Sequence, residues 1–193
     1  MVKVIGIAGS PRRAGNSTTL MKAALAGAAG AGAETDIVYL NDLTFRGCQG
    51  CEPCTPDGRC RVRDALTPVF AALKLADVWV LASPIYFDGV SGQMKTFFDR
   101  CLWLTNERGQ RKARLNGKRR AAVIVTYEAG PSEGYRKAAQ TLANYLGWMG
   151  EFGTVEVMSE ANLGPSDAAK ERPDLLEKAT GMGQELVRSL GGV

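Results

Sequence analysis

Four of the five cysteines in this 193-residue chain fall in one short segment, CQGCEPCTPDGRC, at positions 48–60. Cys48, Cys51, Cys54 and Cys60 give the spacing C-x2-C-x2-C-x5-C, and the chain contains no histidine. Three cysteines at successive steps of three residues can wrap a chain around one corner of an iron–sulfur cubane. Since the chain has no second motif of this kind, Cys60 is the economical fourth ligand. The segment therefore predicts an iron–sulfur cluster.

Two other interpretations of these four thiols stay open. Zinc is the weaker metal assignment, because it prefers two separated C-x2-C pairs, and thiols without a metal are the remaining option. The surrounding charges favour a cluster, since nearby cations favour thiolate over thiol and would raise the reduction potential. The flanking cations are Arg46, Arg59, Arg61 and Arg63, offset in part by Glu52, Asp57 and Asp64. The fifth cysteine, Cys101, is expected to be a buried small hydrophobe on a helix.

The elements that must position this segment alternate regularly along the chain. Apolar β-branched runs predict strands, and apolar stripes at helical spacing predict helices. The predicted strands are 2–8, 35–40, 78–82, 121–126 and 154–158, and the predicted helices are 17–31, 65–76, 91–104, 133–147 and one beginning near Pro173. This alternation predicts an α/β fold, a doubly wound five-stranded parallel sheet with helices on both faces, in a single domain over 1–193. Ligands of such sheets bind beyond the carboxyl ends of the strands.

The loop after the first predicted strand, in GIAGSPRRAGNSTTL, is suited to an anion. Gly9 and Gly15 permit close backbone approach, while Ser17 and Thr18 stand where the helix begins. Hydroxyls and free backbone N–H groups at a helix N-terminus bind phosphate, and the helix dipole helps. Two adjacent arginines, at 12 and 13, add charge and a fork that matches phosphate geometry.

Two familiar nucleotide-binding loops are excluded here. A Walker A loop is GxxxxGK[ST], but five residues separate Gly9 from Gly15, and Asn16 stands where the lysine should be. A dinucleotide fingerprint requires GxGxxG, but the residue two after Gly6 is Ala8. The loop therefore predicts one terminal phosphate, as on a mononucleotide.

Two further loops at the same edge of the sheet could hold a flat ring. After the third strand, in ASPIYFDGVSGQMKTFFDR, a proline stiffens the turn, two aromatic residues supply planar surface and Gly89 relaxes the backbone. After the fourth strand, TYEAGPSEGY lies on the far side of the same crevice. The residues in question are Pro84, Tyr86, Phe87 and Gly89 in the first of these loops, and Tyr127, Glu128 and Gly130 in the second.

Together, GSPRRAGNSTTL and ASPIYFDGVSGQMKTFFDR resemble the flavodoxin-like FMN reductases and NAD(P)H-dependent quinone reductases, over roughly residues 2–158. The resemblance implies FMN as cofactor. It places Ser10, Arg12, Asn16, Ser17 and Thr18 around the phosphate, Pro84, Ile85, Tyr86 and Phe87 along the isoalloxazine, and Tyr127 to Gly130 near its outer edge. It also implies that the helix over 93–100 packs against a partner subunit, in a homodimer or homotetramer.

The compact four-cysteine segment before the second helix resembles the iron–sulfur flavoprotein subfamily. That resemblance implies a [4Fe–4S] cluster that exchanges single electrons with FMN. We therefore expect an FMN-dependent electron-transfer oxidoreductase that takes electrons from a ferredoxin-like carrier or NAD(P)H and passes them to a small-molecule acceptor. The alternatives are an NAD(P)H-dependent FMN or quinone reductase without a cluster, and a non-catalytic flavin redox sensor. No acid–base residue is required by the expected chemistry, in keeping with a chain that lacks histidine.

Composition sets the remaining expectations. Hydrophobic residues make up 45% and charged residues 23%, no apolar run approaches a membrane span, and the N-terminus lacks a signal-peptide pattern, so cytoplasmic location is expected. The basic run RKARLNGKRR, at 111–120, lacks the aromatic platform of a nucleic-acid site. We expect it to be a solvated loop before a strand, with a docking patch for an acidic carrier or a nucleotide phosphate as the alternative.

Overall fold

The predicted sheet is confirmed in the computed structural model, which describes residues 1–51, 54, 58–107, 110–111 and 113–191. Its strands are β1 (Lys3–Ala8), β2 (Glu34–Tyr39), β3 (Val78–Tyr86), β4 (Arg120–Thr126) and β5 (Glu156–Glu160). They pair in parallel in the order β2-β1-β3-β4-β5. The chain moves outward from β1 in one direction and from β3 in the other, so the loops after β1 and β3 flank the crevice where such sheets bind ligands.

Five helices cover the two faces of the sheet. They are α1 (Asn16–Gly30), α2 (Leu66–Leu75), α3 (Gly92–Arg100), α4 (Glu133–Leu146) and α5 (Pro173–Gly191). Alternate residues of each strand face opposite sides. One set packs with α1 and α5 and the other with α2, α3 and α4, which gives two apolar cores. Among the described residues, no helix is both long and apolar enough to cross a membrane.

The largest difference from the predicted elements lies at the third strand. The sequence predicts its end at Ala82, but β3 continues to Tyr86. The strand can include a proline because β1 ends opposite Ala82, so Pro84 has a strand neighbour on one side only, opposite Thr126. Beyond it, Gly89–Val90 forms a short antiparallel strand on β3. The predicted helix over 91–104 is likewise divided, since α3 ends at Arg100 and a 3-10 turn covers Cys101–Leu104.

Two arginines at the end of the basic run bond to the rest of the fold, which differs from the expectation of a solvated loop. Arg119 is buried, and its guanidinium donates to the carbonyl oxygens of Ala76 and Lys74 just after α2. Arg120 donates to the Ser189 hydroxyl and carbonyl at 3.0 Å each. These arginines replace absent backbone donors at helix ends, so they hold α2 and α5 against the sheet.

Two glycines let α1 and α5 pack backbone to backbone. A Cβ added at Gly27 would overlap the carbonyl oxygen of Thr180, and one added at Gly183 would overlap that of Ala24. No such contact surrounds Gly181, on the same helix as Gly183. The approach of these two helices is therefore set by the missing side chains.

Replacing Gly183 by alanine should lower the free energy of unfolding by about 1–3 kcal/mol, because the methyl group forces the two helices apart. The matched change Gly181→Ala should raise it by roughly 0.5–1 kcal/mol, since alanine loses less backbone entropy in a helix. Urea denaturation followed by circular dichroism measures both variants. Equal effects of the two substitutions would contradict the proposed close packing.

Candidate functional site

The Ser91 side chain joins the end of β1 to the start of α3 at the carboxyl edge of the sheet. Its hydroxyl donates to the Gly9 carbonyl oxygen at 2.6 Å and accepts from the Met94 N–H at 3.3 Å, capping α3. A Cβ at Gly9 would lie 2.7 Å from the Met94 Cβ, so only glycine allows this approach. The first loop and the start of α3 are thereby held together. Sequence reasoning missed Ser91, although a serine before an apolar helical run is a recognisable N-cap signal.

The first turn of α1 offers an unpaired donor. The helix begins after Gly15 without a side-chain cap, and no acidic residue lies in its first turn. Ser17 is 1% exposed, and its hydroxyl has no hydrogen-bond partner among the described residues. An orphaned hydroxyl at the positive end of a helix dipole fits a phosphate group well.

The neighbouring side chains of the first loop have distinct positions. The Ser10 hydroxyl accepts from the Arg12 N–H at 3.1 Å, and the Thr18 hydroxyl donates to the Arg12 carbonyl oxygen at 3.3 Å. Arg13 points elsewhere: it forms an ion pair with Asp42, and its guanidinium lies over the Tyr39 ring at 4.4 Å. This leaves the exposed Arg12 as the cation available to an anion in the loop.

Asn16 connects the first loop to the segment after β5. Its side-chain amide donates to the carbonyl oxygens of Leu163 and Pro165 at 2.9 and 2.8 Å, and its side-chain oxygen accepts from the Ala169 N–H at 2.9 Å. Because these bonds occupy the amide, the group that Asn16 retains for a phosphate is its backbone N–H. No pattern in the sequence pairs positions 16 and 163–169.

The aromatic residues after β3 stand on a tight hairpin. Tyr86 pairs with Gly89 across a two-residue turn, Phe87 and Asp88, whose φ angles are 48° and 61°. Positive φ at two non-glycine residues is strained, and such strain is typical of functional sites. The expectation that Gly89 relaxes this turn is wrong, since Phe87 and Asp88 adopt the left-handed conformation instead. The Phe87 side chain is fully exposed and Tyr86 is half exposed, so both offer planar surface to a ligand.

The loop after β4 is divided between the core and the surface. The Tyr127 ring is buried against Tyr135, with centroids 4.6 Å apart, and its hydroxyl lies 3.4 Å from the Ser159 hydroxyl. Glu128 and Gly130 are exposed. The structure therefore places the Tyr127 ring in the core and leaves Glu128 and Gly130 at the surface.

The four clustered cysteines are free thiols at or near the surface. Cys48 is exposed, while Cys51, Cys54 and Cys60 are partly buried. Burial raises the pKa of the Cys54 thiol, and the other three cysteines raise it further. Within the described part of the chain, no three His, Cys, Asp or Glu side chains are close enough to hold a metal ion. As a donor set, four thiols in one segment fit a thiolate-bound cluster. Glu52 and Asp57 lie outside the described residues.

A buried ion pair holds together the two ends of the cysteine segment. Arg100, 1% exposed, donates to Asp64 at 2.6 and 3.3 Å and to the carbonyl oxygens of Arg46 and Val62 at 2.6 and 3.1 Å. Asp64 in turn accepts from the Arg46 N–H at 3.1 Å. Burial alone would lower the pKa of Arg100, but bonding to Asp64 and Cys60 raises it. The guanidinium therefore remains charged and holds both ends of the segment.

Two cavities adjoin the cysteine segment. The larger, about 670 Å³, reaches Cys48 and lies between α3, α4 and the turn at Asp88 to Val90. It contains the exposed apolar side chains of Leu102, Tyr145 and Trp148. The smaller, about 310 Å³, reaches Cys60 from the side of α2. The buried Cys101, as predicted from its helix position, lines neither and donates to the Phe97 carbonyl oxygen at 3.5 Å.

A doubly wound parallel sheet with the strand order β2-β1-β3-β4-β5 defines the flavodoxin-like class of folds. Within that class, the chain belongs to the NADPH-dependent FMN reductase family, whose model matches residues 2–163. The family is a family of flavin-dependent oxidoreductases, and the resemblance noted in the sequence is confirmed.

Individual relatives agree with this assignment. An iron–sulfur flavoprotein of Methanocaldococcus jannaschii is 43% identical over 99 residues, 51% of each chain. One of Archaeoglobus fulgidus is 35% identical over 132 residues, 68% of this chain and 58% of the other. The solved NAD(P)H:quinone oxidoreductase of Methanothermobacter marburgensis superposes with a TM-score of 0.69 at 19% identity, covering 96% of each chain. At that identity it shows the fold alone. The chain spans about half the length of the curated relatives it matches.

Replacing Asp64 by asparagine should cost about 3 kcal/mol of unfolding free energy at pH 7, because it leaves the buried Arg100 charge unpaired. Burial alone would raise the pKa of Asp64, but its hydrogen bonds with Arg100 and the backbone lower it overall. Its stabilising contribution is therefore complete above the unfolded pKa, near 3.9, and is lost as the pH falls through the folded value.

The measurement is urea denaturation of wild type and Asp64→Asn at pH 7 and pH 3. Asp99→Asn is the control, because Asp99 pairs with Lys95 on the exposed face of α3 and should lose under about 1 kcal/mol. If the difference in unfolding free energy between wild type and Asp64→Asn were as large at pH 3 as at pH 7, the stabilising ion pair between Asp64 and Arg100 would be refuted.

Proposed function

We propose that this chain is an FMN-dependent electron-transfer oxidoreductase in which FMN exchanges electrons with a [4Fe–4S] cluster on the cysteine segment. The observation that carries the FMN site is the buried, unpartnered hydroxyl of Ser17 at the uncapped start of α1. The strained aromatic hairpin precedes Ser91, whose hydroxyl bonds to Gly9 at the start of the loop before α1. These observations support a phosphate site and a ring site at one edge of the sheet.

The chain's own groups would bind and orient the cofactor. The phosphate would be held by Ser10, Arg12, the Asn16 backbone N–H, Ser17 and Thr18, and the isoalloxazine by Pro84, Ile85, Tyr86, Phe87 and Gly89, with Glu128 and Gly130 beside the Tyr127 backbone at the outer edge. Bound FMN accepts either a hydride or two single electrons. Arg12 would neutralise the phosphate, and the hairpin would fix the plane of the ring.

The cysteine segment would supply the second redox centre. Its four thiols lie within one segment, and the bonds of Arg100 hold the two ends of that segment in place. A cluster held there by Cys48, Cys51, Cys54 and Cys60 passes one electron at a time. The names of the curated iron–sulfur flavoproteins support this assignment.

The partners follow from the same arrangement. NADPH, which the family's description names, NADH or a ferredoxin-like carrier would supply electrons, which the protein would pass to a small-molecule acceptor.

We propose a homodimer or homotetramer in which α3 packs against a second copy, because the larger cavity beside α3 exposes Leu102, Tyr145 and Trp148. An apolar surface of this kind is typical of an interface. Cytoplasmic location and the absence of nucleic-acid binding remain predictions.

Ser17→Ala should weaken FMN binding by about 1–3 kcal/mol, because one hydrogen bond to a charged phosphate is lost, and should leave riboflavin binding unchanged. Fluorescence titration of the apoprotein with each flavin measures this. The control is Thr19→Ala, whose hydroxyl faces the Ala14 carbonyl oxygen at 3.5 Å and should not contribute. If the wild-type protein bound FMN and riboflavin equally, the phosphate site would be refuted.

Cys51→Ala should abolish the iron and sulfide of anaerobically prepared protein while FMN stays bound, because the FMN contacts come from other loops. Cys101→Ser serves as control and should change neither content, since Cys101 is buried in the core and is not one of the four clustered cysteines. One-electron exchange with a carrier should be lost with the cluster. Wild-type protein that carries FMN but no iron would favour the cluster-free NAD(P)H-dependent reductase. An oligomer change on oxidation without turnover would favour the redox sensor.

A further inference from the structure

The smaller cavity lies apart from the proposed flavin loops. It opens between α2 and the 3-10 turn at Cys101–Leu104 and reaches the Cys60 side chain. Its volume, about 310 Å³, is at the lower end of the range for small-molecule sites. Neither the family assignment nor the FMN site accounts for it.

Its walls are apolar and aromatic. Phe70 and Trp103 line it and pack edge to face, with centroids 5.6 Å apart and an interplanar angle of 68°. Val62 and Ala71 complete the apolar surface. Walls of this kind suit a flat, apolar body of one or two rings.

Within the described part of the chain, the charged side chains that line this cavity are all cations. Arg59, Arg63 and Lys74 line it, and no carboxylate does so among the residues that the structure describes. The Lys74 ammonium lies 4.8 Å from the centre of the Trp103 ring. Asp64, which follows Arg63 in the sequence, forms its ion pair with Arg100. An anionic group would therefore meet attraction from several sides of the cavity.

A buried donor in the wall lacks an acceptor. Trp103 is 3% exposed, and its indole N–H has no hydrogen-bond partner in the described part of the chain. Buried indole N–H groups usually find a partner, so this one marks a place for an oxygen from a ligand. The donor and the cations are independent observations that indicate the same ligand chemistry.

We infer that this cavity binds a small aromatic carboxylate of one or two rings, with its ring between Val62, Phe70 and Trp103 and its carboxylate toward Arg63 and Lys74. Such a ligand would lie against Cys60, which lines the cavity. Electron exchange between the ligand and the cysteine segment would rest on the proposed function. Binding itself requires neither FMN nor a cluster.

Isothermal titration calorimetry of the anaerobic holoprotein with 2-naphthoate and the neutral 2-naphthamide tests the inference. We expect the carboxylate to bind at least about 10-fold more tightly than the amide, because it gains charge-assisted contacts. Arg63→Gln and Lys74→Gln should each weaken 2-naphthoate about 5- to 10-fold and leave 2-naphthamide within about twofold, so the amide also reports that the cavity is intact.

Lys95→Gln is the matched control, because Lys95 is an exposed lysine that lines the larger cavity instead. It should change neither affinity. Equal affinities for the two ligands, no binding of 2-naphthoate, or an equal loss in Lys95→Gln and Lys74→Gln would each overturn the inference. FMN and iron assays on the same preparations separate this failure from failure of the proposed function, since a loaded protein with equal affinities refutes the cavity site alone.

Discussion

One buried guanidinium organises the most unusual part of this protein. Arg100 bonds to the backbone on both sides of the cysteine segment and to Asp64, so a long excursion of the chain starts and ends at one point. A buried charge is costly unless it is paired, and here Asp64 pairs with it while the carbonyl oxygens of Arg46 and Val62 accept its hydrogen bonds. The thiols, the cavity beside Cys60 and the start of α2 all depend on that closure.

The carboxyl edge of the sheet is held by similar links between distant residues. Ser91 connects the end of β1 to the start of α3, and Asn16 connects the first loop to the segment after β5. Each link uses a buried polar side chain whose hydrogen bonds are made to backbone groups, which stiffens loops that have no regular structure of their own. Ser17 is the exception within this network, and its unpaired hydroxyl is the reason to expect a ligand there.

Much of the fold can be predicted from the sequence, because a fully buried parallel strand must be apolar and its neighbouring helices must be amphipathic. The five strands, the five helices and the loops at the carboxyl edge follow from that requirement alone. The sequence alone gives the wrong role for two residues. It predicts that Arg119 is solvated, but Arg119 caps α2. It predicts that Gly89 relaxes its turn, but the positive φ angles fall on Phe87 and Asp88.

The sequence by itself determined the fold class, the glycine- and hydroxyl-rich first loop and the presence of four thiols in one segment, since each is a local pattern of residue types. Only the tertiary structure decided which arginine faces the first loop, that Tyr127 is buried, and that Arg63, Lys74 and Trp103 surround one cavity. The physical reason is that side-chain direction and burial depend on what the rest of the chain packs nearby. Those neighbours lie tens of residues away, beyond the reach of any local pattern.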